Sequence, residues 1–243
     1  YSVKSLGIKH TAVSISSDNF LNDIRKLIKF HGAPIYTINY FAQWQLMKEV
    51  KELGYKVTIS GLGADELFSG YYDHHLAYLA EMKKINHQRY LNALKDWEEN
   101  ISSVVRNPFL KDPNYFIKDI NNRDHIYLNA DFFNSLLKDK FSEEFKEEFY
   151  TSDLLRNRMA NELFHEIVPV ILHEDDLNSM YYSIENRSPF LDSKLFSTCQ
   201  RIPSIHLIKN GMAKSILRDA VQDIAPERVI FSKRKVGFNI PIN

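Results

Sequence analysis

The residues best suited to chemistry lie in a glycine-rich segment, Ser60 to Tyr72 (SGLGADELFSGYY). It contains Gly61, Gly63 and Gly70 and follows directly on a short β-branched run, Lys56 to Ser60 (KVTIS). A glycine turn after a parallel strand lets backbone N–H groups approach an anion closely. The helix expected next adds a partial positive charge at its N-terminus. Ligands of parallel sheets bind at the carboxyl ends of the strands. Asp65 and Glu66 fall in the first turn of that helix, where Asp65 is placed to hold Mg²⁺ against phosphate oxygens. The same residues also suit a plain tight turn followed by an acidic first helical turn, which is stabilising in itself. Spacing alone leaves both explanations open. The segment holds neither a G-x-x-x-x-G-K-[ST] loop nor a G-x-G-x-x-G fingerprint.

A second group is basic. Lys209, Lys214 and Arg218 lie in and before the helix of IKNGMAKSILRDAV, and Lys233, Arg234 and Lys235 lie in FSKRKVGFNIPI. Lys214 and Arg218, four residues apart, share a helical face. Positive charge near a glycine-rich strand end stabilises a departing pyrophosphate or a pentavalent phosphorus. Taken alone, the cluster is equally a solvated helix face and a basic loop. Other features carry less. Adjacent helical residues point about 100° apart, so Asp73, His74 and His75 make a poor metal site, and Asp73 reads as an N-cap. His173-Glu174-Asp175-Asp176 lacks the second histidine of a zinc motif. Cys199 has no C-x-x-C partner and reads as core. The aromatic stretch from Tyr127 to Phe149 reads as packing.

These groups must be held by secondary structure. His10 to Ser16 alternates and predicts a strand, and Lys56 to Ser60 predicts a buried one. Between them the spacing predicts a helix capped by Ser17 or Asp18 and closed by Gly32, with Phe20, Leu21, Ile24, Leu27 and Ile28 on one face. A second helix is predicted from about Ile38 to Leu53, closed by Gly54. Strand, helix, helix, strand favours a parallel α/β sheet. Beyond Tyr72 the signals are almost all helical. Helices are expected over His74–Ile85, His87–Val105, Pro113–Ile120, Phe141–Met159, Ala160–Tyr182 (kinked at Pro169), Ser193–Gln200 and Gly211–Ile224. Two strands make too small a sheet to stand alone, so further strands are expected from outside this segment.

Composition narrows the class. The chain has 243 residues, 44% hydrophobic and 26% charged, which is enough to bury a core. Lys+Arg and Asp+Glu are both 31, which argues against a nucleic-acid binder. No apolar run reaches the roughly 18 residues a membrane helix needs. With one cysteine there is no intramolecular disulfide, and no signal peptide is evident, so a cytoplasmic protein is expected. The chain opens on Tyr1 rather than Met and stops after GFNIPIN, so both ends are expected to be cut.

The glycine segment resembles the SGEGADELFGGY signature of asparagine synthetases. HEDDLNSMYYSIENRSPFLD (His173–Asp192) is similar to that family's EDRNSM-x-x-SIE-x-R-x-PFLD segment, and GMAKSILRDAV (Gly211–Val221) to its G-x-x-K-x-x-LR helix. Pro226 and KRKVGFNIPI (Lys233–Ile242) resemble its R-x-K-x-GF-x-x-P ending, with Lys233 in place of the Arg. Four motifs in order point to the C-terminal, ATP-using synthetase domain.

That resemblance implies an adenine-nucleotide-binding α/β domain with a large helical remainder. It would be one incomplete synthetase domain over 1–243, with the nucleotide-site part in 1–72 and the mainly helical part in 73–243. It implies ATP and Mg²⁺, adenylation of a carboxylate with release of pyrophosphate, and attack by ammonia from an upstream glutaminase domain. By position, Ser60 and Gly61 would contact the nucleotide and Gly63 would lie in the pyrophosphate-side turn. Asp65 would hold Mg²⁺–pyrophosphate, Lys214 would stabilise phosphoryl charge, and Lys235 would assist it. Glu185 and Arg187 would form a structural ion pair. A homodimer is possible. Leu62 stands where asparagine synthetases have Glu and the related beta-lactam synthetases have tyrosine, and Leu177 replaces an Arg. These departures point away from aspartate as acceptor and toward another carboxylate, on a small molecule or a sugar. A relative using another amine, or a non-catalytic partner domain, remains the alternative. The family's SGG-x-DSS loop and glutaminase cysteine are absent, so this chain alone is expected to bind Mg·ATP poorly.

Overall fold

The computed structural model describes residues 1–126, 130–140 and 146–233. Helix α1 (Ser2–Leu6) leads into an irregular stretch, then α2 (Phe20–His31) and α3 (Asn39–Glu52). Gly32 and Gly54 follow these two helices in left-handed conformation, as expected of C-terminal stops. Leu27, Phe41 and Trp44 form the shared core of the pair, with Phe20, Ile24, Tyr181 and Tyr182 packed around them. Leu21 and Ile28, expected on the same face, are exposed.

The strand expected over His10 to Ser16 is absent. Among the described residues no strand lies beside that segment, and its alternating β-formers gain nothing without a ladder. Ser16 is held instead by the Gln45 amide, which accepts from the Ser16 N–H at 3.1 Å and donates to its carbonyl at 2.8 Å. Strand β1 (Val57–Ile59) forms where expected, but Val57 and Ile59 are exposed rather than buried. It is followed by α4 (Ala64–Phe68).

The helical part begins with α5 (Tyr72–Ile85) and α6 (His87–Asn100), then α7 (Tyr115–Lys118), α8 (Ala130–Ser135) and α9 (Leu154–Asn161). A π-helical turn over Glu162–Glu166 carries α9 into α10 (Val168–Met180), with Pro169 in the first turn of α10. The long helix expected from Phe141 lies partly outside the described residues, and its remainder is helical only from Leu154. Asn86 caps α6 by accepting from the N–H groups of Gln88 and Arg89.

Strand β2 (Glu185–Arg187) then pairs in parallel with β1, placing Val57, Thr58 and Ile59 opposite Glu185, Asn186 and Arg187. Helix α11 (Ser193–Gln200) matches its expected span and is capped by Asp192. Helix α12 (Ser215–Ala220) is shorter than expected, because Lys214 takes a left-handed conformation (φ 58°) and blocks the first turn. Helix α13 (Glu227–Ile230) follows.

The main core lies between α5, α6, α7 and α9, around Leu76, Leu79, Met82, Phe116, Leu155 and Met159. Each such side chain contributes about 1.5–3 kcal/mol of burial. A second cluster joins Leu67 and Phe68 of α4 to Leu163, Val168 and the buried Cys199. The sheet is thus a small parallel patch that fixes one end of the glycine segment, while α5 fixes the other. His173–Asp176 spans α10, where the Glu174 carboxylate lies 3.4 Å from His31 and ties α2 to α10.

Buried in α5, His75 is pushed down to about 4 by desolvation. An unfolded histidine titrates near 6.5, so protonation favours the unfolded chain as pH falls. The stability held above the unfolded value is therefore lost as pH drops toward the folded one. Denaturant melts at about pH 7.5 and about pH 4.5 are expected to differ by roughly 2–3 kcal/mol more in the parent protein than in His75→Leu. Equal differences would show that His75 is not desolvated.

Candidate active site

Ser60 leaves β1 with its N–H donating to the Arg187 carbonyl at 2.8 Å, and its Oγ lies 2.9 Å from the Ser188 Oγ. The ends of both strands are thereby tied together. Gly61 stands in open space, with nothing within 4 Å of an added Cβ. Gly63 is buried in a left-handed conformation (φ 92°) at the N-terminus of α4. A Cβ there would lie 2.4 Å from the Leu191 Cδ2, so the glycine segment and the PFLD segment are locked at a point where no side chain fits. The turn is held by packing as well as by backbone freedom. Because α4 has only five residues, its dipole adds less than expected.

Asp65 and Lys214, about 150 residues apart in the chain, meet with the Lys214 Nζ 3.0 Å from the Asp65 Oδ1. Each side chain is 26% exposed, so the pair is open to solvent on one side. Both face a cleft of about 520 Å³ that Gly70, Tyr72, His75 and Arg228 also line. Gly70 was not singled out from the sequence as a site residue. Its missing Cβ is what makes room for the pair: a built Cβ falls 1.5 Å from the Asp65 Oδ1 and 2.7 Å from the Lys214 Cε. The strained backbone at Lys214 serves the same meeting, since a non-glycine residue at positive φ persists only where its surroundings hold it there.

Other expected members are placed differently. Arg218 lines the same cleft as Lys214, while its Nε donates to the Ala213 carbonyl at 2.8 Å and its Nη1 to the carbonyls of Val229 and Ile230. It is a strut that ties α12 to α13. Lys233 reaches the Asn100 side chain. Lys235 and Arg234 lie outside the described residues. Glu66 is buried and accepts from the Tyr71 hydroxyl at 2.5 Å, which, together with burial, pushes the phenol far up. Glu185 and Arg187 do pair, at 2.7 Å, but both are well exposed, where an ion pair adds little.

Asp73 is not an N-cap. Tyr71 takes that place, and Asp73 is buried in the first turn of α5. It belongs to an ionic network that local spacing does not reveal. The His74 Nε2 lies 2.6 Å from the Glu162 Oε2, and the Arg158 Nη2 lies 3.2 Å from the Glu162 Oε1 and 3.7 Å from the Asp73 Oδ2. Arg158 also meets Glu147 and Glu166, and Arg123 joins both of them. Asp73, Arg123, Arg158, Glu162 and Glu166 line a second cleft of about 560 Å³, and Tyr72 lines both clefts. Asp73, His74 and Glu162 are close enough to hold a metal ion, but the Arg158 guanidinium already supplies the positive charge. Burial opposes a charge on Asp73, yet His125 and the Arg158 guanidinium hold it well below the usual carboxylate range. Burial raises Glu162 to about 7 despite its partners His74 and Arg158.

The whole chain, residues 1–243, matches the family model described as asparagine synthase. Asparagine synthetase [glutamine-hydrolyzing] 1 of Bacillus subtilis is 25% identical over 252 residues, covering 98% of this chain and 39% of that protein. A putative asparagine synthetase [glutamine-hydrolyzing] of Mycobacterium tuberculosis is 25% identical over 261 residues, covering 99% of this chain and 38% of that protein. The chain therefore spans about two fifths of the length of these relatives. No solved structure matches it. Among the described residues no helix is long and apolar enough to cross a membrane. With its family model covering every residue, this chain belongs to the asparagine synthase family.

Proposed function

We propose that the chain is the ATP-dependent synthetase part of an amide-forming ligase. A carboxylate is activated as an acyl-adenylate with release of pyrophosphate, and ammonia attacks the activated carbonyl to give the amide and AMP. The observation that carries this reading is the Asp65–Lys214 pair at the carboxyl end of a parallel strand. Mg²⁺ takes one or two protein carboxylates and fills its remaining positions with phosphate oxygens and water. A single half-open carboxylate beside a lysine fits that requirement. Bound there, Mg²⁺ would neutralise charge on the leaving pyrophosphate. Asp65 would hold the ion, and Lys214 would place a second positive charge on the same phosphates. Ser60 and the open backbone at Gly61 would border the nucleotide, with Lys235 beside the phosphates.

The relatives' names describe glutamine hydrolysis. We accordingly place an upstream glutaminase domain as the ammonia source in the complete protein, acting in the cytoplasm where ATP is supplied. Leu62, half-buried in the turn, can neither accept a proton nor hold an ammonium, which favours an acceptor other than aspartate. A non-catalytic partner domain is the second reading, and Leu62 is also its support.

Both readings are separated by ATP–pyrophosphate exchange in the full-length protein, assayed with aspartate and with a panel of small and sugar carboxylates. Asp65→Asn is expected to lower exchange by about 10²–10³-fold, the usual effect of removing one preorganised electrostatic group. Absence of exchange from the parent protein with every acid overturns the ligase reading, and exchange that survives Asp65→Asn overturns the role given to Asp65. Gly70→Ala is expected to lower exchange by at least about 10²-fold, because its methyl group occupies the space of the Asp65 carboxylate. Parent-like exchange in Gly70→Ala would show that the Asp65 position seen here is not the working one.

A further inference from the structure

Gly70 makes room for the Asp65–Lys214 pair, so whatever fixes the Gly70 backbone fixes the pair. That group is His74. Its Nδ1 accepts from the Gly70 N–H at 3.1 Å and from the Tyr71 N–H at 3.5 Å. An acceptor nitrogen carries no proton, so the proton of the neutral ring sits on Nε2, which donates to the Glu162 Oε2 at 2.6 Å. The other Glu162 oxygen accepts from Arg158. Both His74 and Glu162 are sealed from solvent. Burial resists a charge on His74, while Glu162 and Asp73 raise its affinity for a proton. A second proton would have to sit on Nδ1, facing two backbone N–H groups. The hydrogen bonds therefore leave Nδ1 bare and place the ring proton on Nε2. The ring is packed edge-on against Tyr71, at 5.1 Å between centroids, which blocks its rotation.

We propose that His74 is a positioning residue for the site, its bare Nδ1 clamping the Gly70 backbone so that the Asp65 carboxylate is held against Lys214. The force runs from Arg158 through Glu162 and the imidazole to the Gly70 N–H, across two elements far apart in sequence. This inference rests on the ligase reading for its effect on activity, and on geometry alone for the clamp.

Two substitutions divide the ring's functions. An asparagine amide reaches as far as Nδ1, so His74→Asn keeps an acceptor for Gly70 and loses the bond to Glu162. A glutamine amide reaches as far as Nε2, so His74→Gln keeps the donor to Glu162 and loses the acceptor for Gly70. In the full-length protein, His74→Asn is expected to keep ATP–pyrophosphate exchange within about threefold of the parent. His74→Gln is expected to lose about 10–100-fold in turnover with the KM for ATP little changed. Thermal stability should show the opposite order, with His74→Asn the weaker because Glu162 is left buried without its donor. If activity instead follows stability, with Asn as impaired as or worse than Gln, His74 only holds the fold and the proposal fails. Hydrogen exchange at the Gly70 amide gives a readout independent of activity. Protection kept in Asn and lost in Gln supports the clamp, and protection that is equal in both overturns it. Should the parent protein show no pyrophosphate exchange, the ligase reading falls while this amide measurement still decides the clamp.

Discussion

Arg158 carries the buried positive charge on which the interior around α5 depends. Four carboxylates, those of Asp73, Glu147, Glu162 and Glu166, lie against its guanidinium. Burial opposes the charge on Arg158, but these carboxylates hold its proton more firmly than usual. Removing one partner of such a buried set destabilises by about 3–5 kcal/mol, because a charge is left without compensation. The network therefore behaves as a unit. It sets the orientation of Glu162, Glu162 sets the tautomer of His74, and His74 sets the backbone next to Asp65. A half-exposed ion pair is by itself worth little. Here its geometry is inherited from a buried set worth far more.

The glycine segment shows how packing divides a single turn into tolerant and intolerant halves. Gly61 has open space around it, whereas Gly63 abuts Leu191 and Gly70 abuts Asp65. An added methyl group is thus harmless at the first of these on steric grounds, whereas at the other two the Leu191 or Asp65 side chain would have to shift. Three glycines that look alike in sequence meet different surroundings. Only Gly63 combines positive φ with a steric limit, while at Gly70 the limit is a functional side chain rather than the backbone.

How much was legible follows from whether the signal was local. Helices α2, α3 and α11 carry their own stops or caps, Gly32, Gly54 and Asp192, and lie close to where spacing placed them. The His10–Ser16 run had strand composition but no neighbour, and composition cannot supply one. Conversely β2 is Glu-Asn-Arg, with no β-former, and is a strand only because β1 lies beside it. Gly211–Ile224 was amphipathic enough to suggest a full helix, but the left-handed Lys214 starts α12 late. In the site, Asp65 and Lys214 were legible through motif resemblance. Gly70 and the His74–Glu162–Arg158 chain were not, because pairs separated by 88 residues leave no periodic trace. Helical spacing made Asp73, His74 and His75 a poor metal site, and that Asp73 and His74 converge with Glu162 showed only in three dimensions.

The same geometry bears on why substrate identity is harder to read than reaction class. The groups suited to phosphate chemistry, Asp65 and Lys214, pack directly against the Gly70 backbone. Leu62, by contrast, lies half-buried between Gly61, which has open space around it, and Gly63. A change at position 62 can alter what faces an acceptor without moving Asp65, since the backbone on its far side is anchored by Gly63 against Leu191. On the proposed ligase reading, reaction class would follow the constrained half of the turn and acceptor preference the other half. A sequence can keep the first while departing from its relatives in the second.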